Sequence, residues 1–292
     1  MKGAWDTSGS EADAPDEAKR ALEASGKAPA DSSSVGADLS SFTLLLDSPA
    51  SGSWNMAVDE ALLEAAALRG QSTLRFYRWA EPTLSLGYFQ TYADRFQHEA
   101  SSRCAVVRRA SGGGAILHDI ELTYSLAVPE RHPLAATRLK TYRAVHYALI
   151  AALARYGIEA GMLTCATAGR PSFNQPEPFL CFQRRSPGDV LLDGVKIAGS
   201  AQRRCQGAVL QHGSLLLARS SAAPELDGLL ELAGKPIDAE EFTQAWLHEM
   251  AGVLGVQWHR QPMAEADGRR AAEIESQKYA TSLWTEHRGR QS

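Results

Sequence analysis

Three short apolar runs joined by tight turns occupy the stretch from Asp189 to Leu217. Asp193-Gly194 separates the first two runs, and both residues tolerate the positive φ angles of a type I′ turn, which predicts a β-hairpin. A single lysine, Lys196, opens the second run directly after that turn. Small and polar residues interrupt the apolar pattern at Gly199-Ser200 and at Leu210–Ser214, which predicts that another group approaches the backbone there.

The hairpin lysine has two interpretations. Alternation along the second run predicts that Lys196, Ala198 and Ser200 share one face of a strand, where small side chains leave room for a ligand beside the ammonium group. An exposed hairpin lysine is the competing interpretation, because lone lysines usually lie at the surface.

Charge divides the chain at about residue 40. Residues 1–40 carry four Lys/Arg and eight Asp/Glu, so the remaining 252 residues carry 26 charges of each sign. A balanced charge gives no basic surface for nucleic acid, which we therefore exclude as a partner. Because residues 1–40 contain few large apolar side chains, we expect a disordered acidic extension there and one catalytic domain over 41–292.

The apolar runs and the cysteines indicate the environment of the chain. None of the runs approaches the eighteen or so apolar residues of a membrane span, and the N-terminus lacks the apolar core of a secretory signal, so we expect a cytoplasmic protein without membrane contact. The cysteines, which lie 61, 16 and 24 residues apart, match neither zinc spacing nor a dense disulfide framework. We therefore expect free thiols and no metal; the cysteines are Cys104, Cys165, Cys181 and Cys205.

Hydrophobic periodicity predicts strands in the first half and helices toward the end. The spacings between the early strands are too short for crossover helices, which favours antiparallel or mixed pairing and an α+β fold of largely antiparallel sheets flanked by helices. The predicted strands are Phe42–Leu46, Leu74–Trp79, Leu84–Phe89, Cys104–Arg109 and Leu122–Val128. The predicted helices are Trp54–Ala67 capped by Ser53, Thr137–Tyr156, one near Pro224–Ala233, one capped by Asp238, and one near Ala264–Tyr279.

Three further features could carry chemistry. Ser111–Gly114 lacks both the Walker lysine and the Rossmann glycine spacing, so it predicts either a backbone wall beside a narrow ligand channel or a flexible hairpin connection. Cys181 lies in a Pro-rich loop followed by Arg184-Arg185; a thiol needs a cationic neighbour to act as a nucleophile at neutral pH, and burial alone explains most cysteines. Spacing does not decide whether His118 and His212 are functional or structural.

Several motifs together resemble the lipoate-protein ligase and octanoyltransferase superfamily, which shares its catalytic fold with biotin protein ligase. The resemblance covers roughly Phe42 to Trp284 in the family's order. It rests on Asn55–Glu60, Arg75–Trp79, Arg108–Asp119, Asp193–Gln202, Leu210–Ser214 and Lys278–Trp284.

Within the superfamily, the chain is most similar to the cysteine-dependent octanoyl-acyl carrier protein:protein octanoyltransferases. These resemble it in the motif Glu121–Ser125 and in a Cys-Phe pair, Cys181-Phe182, fifteen residues before Lys196. ATP-dependent ligases typically read His-His-Gly-Thr where this chain has Gln211–Ser214. The segment 183–189 departs from the usual Pro-Ser and aromatic pattern of the transferases.

The resemblance implies a catalytic pair, Cys181 and Lys196, and no cofactor. It implies octanoyl-acyl carrier protein as donor, and as acceptor a lipoyl domain of a 2-oxoacid dehydrogenase acyltransferase subunit or the glycine-cleavage H protein. The acyl chain would lie against the glycines, so a larger residue at Gly113 or Gly114 should fill the slot. The substrate-binding residues implied are Arg109, Ser111, Gly112, Gly113, Gly114, His118, Gly199, Ser200, His212 and Gly213.

Three alternatives stay open from the sequence. An ATP-dependent lipoate ligase would need no cysteine, and a lipoyl or octanoyl amidotransferase would use the same cysteine with a different donor. A non-catalytic module that binds acyl carrier protein is disfavoured by the family spacing of Cys181 and Lys196.

Overall fold

Two mixed β-sheets and the helices around them make up the computed structural model, which describes residues 39–165 and 177–289. The strands in this part of the chain are β1 (Ser41–Leu46), β2 (Thr73–Tyr77), β3 (Thr83–Leu86), β4 (Ala105–Arg108), β5 (Ile116–His118), β6 (Glu121–Pro129), β7 (Gly161–Met162), β8 (Val190–Leu192), β9 (Val195–Cys205), β10 (Ala208–Leu216) and β11 (Gln257–Arg260). The α-helices are α1 (Gly52–Arg69), α2 (Arg138–Arg155), α3 (Leu229–Ala233), α4 (Ala239–Leu254), α5 (Glu265–Ile274) and α6 (Ser282–His287). The prediction for the acidic extension falls almost entirely outside the described residues.

The larger sheet has the strand order β11-β1-β2-β6-β10-β9-β8-β7, and the smaller has the order β4-β3-β5. Strand β1 runs parallel to both of its neighbours, and β3 runs parallel to β4. The remaining pairs are antiparallel. The predicted α+β class with mixed, largely antiparallel sheets is therefore confirmed.

Apolar side chains pack on both faces of the larger sheet. One core cluster joins Phe76 and Tyr124 of the sheet to Trp246 of α4 and to the apolar side of α2. A second cluster joins Tyr77, on the opposite face, to α1 and α5. Fully burying one side chain of this size stabilises the fold by roughly 1.5–3 kcal/mol. This two-sided packing fixes the register of the central strands, because a shift of one residue would turn every apolar side chain to the wrong face.

The predicted hairpin forms where the sequence places it. Asp193 and Gly194 have φ angles of 49° and 77°, as a type I′ turn requires. Strand β10 runs without a break from Ala208 to Leu216, and it includes the small and polar residues at Leu210–Ser214. Only the apolar pattern is interrupted there; the backbone pairs with β6 and β9 throughout.

Several helix and strand boundaries differ from the predicted ones. Helix α1 begins at Gly52 with Ser51 as its cap, while the Ser53 hydroxyl donates to Glu275 at 2.6 Å instead. Strand β3 ends at Leu86 because the chain turns there, with Gln90 N–H donating to the Gly87 carbonyl. The helix expected from Pro224 starts only at Leu229.

Within 39–165 and 177–289, no helix is both long and apolar enough to cross a membrane.

Candidate active site

A cavity lies between the larger sheet and the smaller one, with an empty space of about 560 Å³ when its opening to solvent is included. Its floor is formed by the central strands of the larger sheet, and its roof comes from β5 and from the loop between β4 and β5. Ten of the twelve predicted site residues line it: Cys181, Lys196, Arg109, Gly112, Gly113, His118, Gly199, Ser200, His212 and Gly213. Ser111 and Gly114, the other two, lie beside the lining residues in the same loop.

Cys181 and Lys196 meet at one end of this cavity. The Lys196 ammonium lies 3.8 Å from Cys181 Sγ and 3.4 Å from the Cys181 carbonyl oxygen. Cys181 begins a short 3₁₀ turn, and its N–H donates to the Ala115 carbonyl at 2.7 Å, which fixes the loop against β5. The Lys196 ammonium is thus positioned directly against the Cys181 sulfur.

Asp189 holds the Lys196 ammonium in place. Its carboxylate forms an ion pair with Lys196 at 2.9 Å, and both side chains are almost fully buried. The same carboxylate accepts the Ser186 N–H at 2.7 Å and the Tyr142 hydroxyl at 3.2 Å. Because a buried ammonium without a counter-charge is costly, this ion pair offsets the burial of the Lys196 ammonium beside the thiol.

A buried arginine shapes the glycine loop. The Arg109 guanidinium donates to the carbonyls of Gly112 at 2.8 Å, Gly114 at 2.6 Å and Ser85 at 2.8 Å. Burial lowers the pKa of Arg109 to about 10, and the nearby Cys181 acts in the opposite direction, so the side chain stays charged at neutral pH. Arg109 therefore adds a second positive charge near the thiol.

His212 connects the glycine loop to the helix α1. One ring nitrogen lies 2.6 Å from the Ser111 hydroxyl and the other lies 3.2 Å from the Asp59 carboxylate. Burial alone would raise the pKa of Asp59, but hydrogen bonding to His212 and the charge of Arg75 hold it below its ordinary value. The carboxylate thus remains ionised and fixes the orientation of the imidazole.

His118 forms part of the cavity roof. Its ring stacks on the Trp79 indole with centroids 3.9 Å apart, and its Nδ1 lies 2.6 Å from a Glu121 carboxylate oxygen. Glu121 also accepts the Ser214 hydroxyl at 2.9 Å. Glu121 Oε1 thus engages polar groups of the lining residues His118 and Ser214, and the cavity surface is largely apolar.

Ser200 is oriented from the opposite face of the larger sheet. Its hydroxyl lies 2.7 Å from both the Tyr124 hydroxyl and the His146 Nε2. A side chain on Gly213 would lie 2.3 Å from this hydroxyl, which is why glycine is required there. Burial lowers the pKa of His146 to about 4, so this histidine is neutral at physiological pH.

The prediction that Ala198 and Ser200 share a face with Lys196 is wrong for both side chains. Leu191 of β8 pairs with Lys196 but Val190 pairs with Ala198, so the pairing skips Ile197 of β9 and reverses the alternation after Lys196. Ala198 therefore packs in the core, and Gly199 lies beside the ammonium instead.

The glycines of the loop do not direct side chains into the slot. A Cβ on Gly114 would meet Arg184 at 3.1 Å, and Gly113 has a φ of 99° that strains any other residue. Gly112 and Gly113 line the cavity through their backbone. A side chain on Gly114 would point at Arg184 and not into the slot, whereas one on Gly113 would strain the loop.

Asp59, Trp79 and Asp189 are site residues that the sequence reasoning missed. Asp59 and Trp79 lie inside two motifs of the family resemblance, Asn55–Glu60 and Arg75–Trp79, but hydrophobic periodicity alone assigns both residues to the core. In the sequence, Asp189 only marks the start of the first apolar run. A buried acid directly before a strand that pairs with the lysine strand is the signal that could have identified it.

Comparison with known proteins places these features in a family. Residues 51–223 match the family model of the lipoyl protein ligase A/B catalytic domain. The chain is 34% identical over 272 residues to the octanoyltransferase LipM of Kyrpidia tusciae, covering 84% of this chain and 98% of that protein. It is 32% identical over 256 residues to the octanoyltransferase LipM of Brevibacillus brevis, covering 79% and 93%.

Solved structures show the same fold. The putative lipoate protein ligase Ta0514 of T. acidophilum with bound lipoic acid superposes with a TM-score of 0.68 at 21% identity, covering 85% of this chain and 99% of that chain. Lipoate-protein ligase A bound with ATP superposes with a TM-score of 0.67 at 20% identity, covering 84% and 98%.

Proposed function

Because the chain belongs to the family of lipoyl protein ligase A/B catalytic domains, and its relatives are octanoyltransferases, we propose that it transfers octanoyl groups in protein lipoylation through a thioester on Cys181. The donor is octanoyl-acyl carrier protein. The acceptor is a lysine of a lipoyl domain or of the glycine-cleavage H protein. No ATP is consumed, because the octanoyl group arrives already activated as a thioester.

The contact between Cys181 and Lys196 carries this proposal. The two groups are 3.8 Å apart at the end of a cavity whose surface is largely apolar. Cys104 offers a contrast, since burial and the charge of Asp119 raise the pKa of that thiol and disfavour a thiolate. Two cations, Lys196 and Arg109, act on Cys181.

The first half of the reaction moves the acyl group onto the enzyme. The Cys181 thiolate attacks the carbonyl carbon of the donor thioester, and a tetrahedral oxyanion forms. The bond to the carrier thiol then breaks, and the carrier leaves as a thiolate that takes up the proton released when Cys181 ionised. Lys196 stabilises the oxyanion electrostatically; one such donor contributes on the order of a few kcal/mol.

The second half moves the acyl group to the acceptor. The neutral amine of the acceptor lysine attacks the Cys181 thioester, and the C–S bond breaks as the amide bond forms. The amine loses one proton, and the Cys181 thiolate is regenerated. The acceptor amide is more stable than the thioester, which drives the transfer forward.

Intact-protein mass spectrometry after exposure to octanoyl-acyl carrier protein tests the first half-reaction. We expect one octanoyl group on Cys181 in the absence of ATP, no adduct in Cys181→Ala, and an unchanged adduct in the matched variant Cys205→Ala. Full octanoyl transfer to an acceptor by Cys181→Ala would refute the thioester.

Two further measurements distinguish the proposed transferase from the alternative functions. Pyrophosphate release with free octanoate and ATP would identify a ligase. Loading of Cys181 from octanoylated H protein but not from octanoyl-acyl carrier protein would identify an amidotransferase.

A further inference from the structure

One row of paired residues forms the floor of the cavity and runs across four strands of the larger sheet. Gly199 of β9 pairs with Ser214 of β10, Ser214 pairs with Thr123 of β6, and Thr123 pairs with Tyr77 of β2. All four residues line the cavity. Since neighbouring strands lie about 4.8 Å apart, this row is about 14 Å long.

The Cys181–Lys196 pair lies at the Gly199 end of this row. A Cβ on Gly199 would lie 2.9 Å from the Lys196 ammonium, which places that ammonium directly over the start of the row. An acyl group on Cys181 therefore starts at β9 and can extend across the strands toward β2.

The roof of the cavity, formed by β5, runs in the same direction as this row of floor residues. Its start is fixed by the hydrogen bond from the Cys181 N–H to the Ala115 carbonyl, and its end is His118. Ile116 and His118, which are two residues apart on one strand, both line the cavity. Three residues of extended chain from Ala115 to His118 span about 10 Å.

Floor and roof meet at one indole. Trp79 donates its Nε1–H to the Thr123 hydroxyl at 3.0 Å and stacks on the His118 ring at 3.9 Å. Trp79 is buried, with 6% of its surface exposed, so an acyl chain that reaches the indole cannot displace it into solvent. Trp79 therefore closes the slot at the end of the roof and at Thr123 of the floor, two strand spacings or about 10 Å from Gly199.

We infer that Trp79, clamped between Thr123 and His118, sets the maximum length of the acyl chain that Cys181 accepts. An extended chain advances roughly 1.2 Å per single bond, so the eight bonds from Sγ to the end of an octanoyl group span about 10 Å. That matches the length of the roof, and a dodecanoyl group exceeds it by four bonds. The inference rests on the proposed function, because it takes Cys181 as the point where the chain starts.

Loading of Cys181 from acyl thioesters of six, eight, ten and twelve carbons tests this limit in the full chain. Burying one methylene corresponds to about a fourfold gain, so the rate should rise from six to eight carbons and fall at least tenfold at twelve. Trp79→Leu should move the optimum to ten or twelve carbons. Ile116→Phe, which fills the middle of the roof, should move it to six.

Trp258→Leu is the matched control, because Trp258 lies in β11 at the far edge of the larger sheet and donates to the Leu247 carbonyl. It should keep the wild-type length profile. An unchanged profile in folded Trp79→Leu and in Ile116→Phe would overturn the inference. Should Trp79→Leu fail to fold, Trp79→Phe takes its place and should extend the accepted chain by fewer carbons, and an unchanged profile in that variant would overturn the inference.

A second measurement separates this inference from the proposed function. If no acyl group loads on Cys181 in any variant, the thioester mechanism fails. Binding of free octanoate and dodecanoate to the same variants, measured by isothermal titration calorimetry, then still reports the length of the slot. Equal preference for the two acids in wild type and in Trp79→Leu would refute the limit.

Discussion

Gly199→Ala should displace the Lys196 ammonium without unfolding the protein. The added Cβ would lie 2.6 Å from Lys196 Cε and 2.9 Å from Nζ. An ordinary contact begins at 3.4 Å, so Cε must withdraw by about 0.8 Å, the difference between 3.4 and 2.6 Å. The flexible lysine gives way and not the backbone, and Gly199 has no positive φ that would strain an alanine.

Displacing the Lys196 ammonium changes its contact with Cys181, which the proposed reaction requires. Lys196 is held between Asp189 at 2.9 Å and Cys181 Sγ at 3.8 Å, so it cannot withdraw without changing one of these distances. A misplacement of about 1 Å in a reacting group can cost about 100-fold in rate. We therefore expect octanoyl loading of Cys181 to slow by roughly tenfold to 100-fold.

Rapid-quench mass spectrometry of the octanoyl adduct measures this rate, and a thermal melt verifies folding. Gly161→Ala is the matched control: Gly161 lies in β7, a Cβ there would meet no atom within 4 Å, and its φ is not positive. It should load at the wild-type rate. Wild-type loading by folded Gly199→Ala would refute the role assigned to the Lys196 position.

Three other outcomes follow from the buried polar groups. Burial lowers the pKa of His146 to about 4. Between pH 6.5 and 4 the unfolded chain therefore binds a proton that the folded protein does not, and about 3 kcal/mol of stability is lost as the pH falls through that window. Urea unfolding of His146→Gln should show a smaller loss of stability over the same window. Asp189→Asn leaves the Lys196 charge unpaired, which should cost about 3–5 kcal/mol in urea unfolding and should also slow octanoyl loading. Arg109→Lys cannot bridge the three carbonyls that Arg109 holds, so calorimetry should detect weaker octanoate binding, whereas Arg269→Lys on the exposed surface should bind normally.

Local sequence patterns determined much of the fold. The Asp193-Gly194 turn, the helix after Thr137 and the central strands follow from turn chemistry, capping and periodicity, which act over a few residues. The family motifs also selected residues that the structure gathers around one cavity, because they mark positions where a backbone or a polar group adjoins the slot.

Only the tertiary structure decided which groups touch. Asp189 pairs with Lys196, and Asp59 with His212, through contacts between segments that periodicity treats separately. Because the β8–β9 pairing skips one residue, the Ala198 side chain packs in the core and Gly199 lies beside the Lys196 ammonium. Strand register and the packing of two sheets set these positions, and both depend on long-range pairing that no local pattern contains.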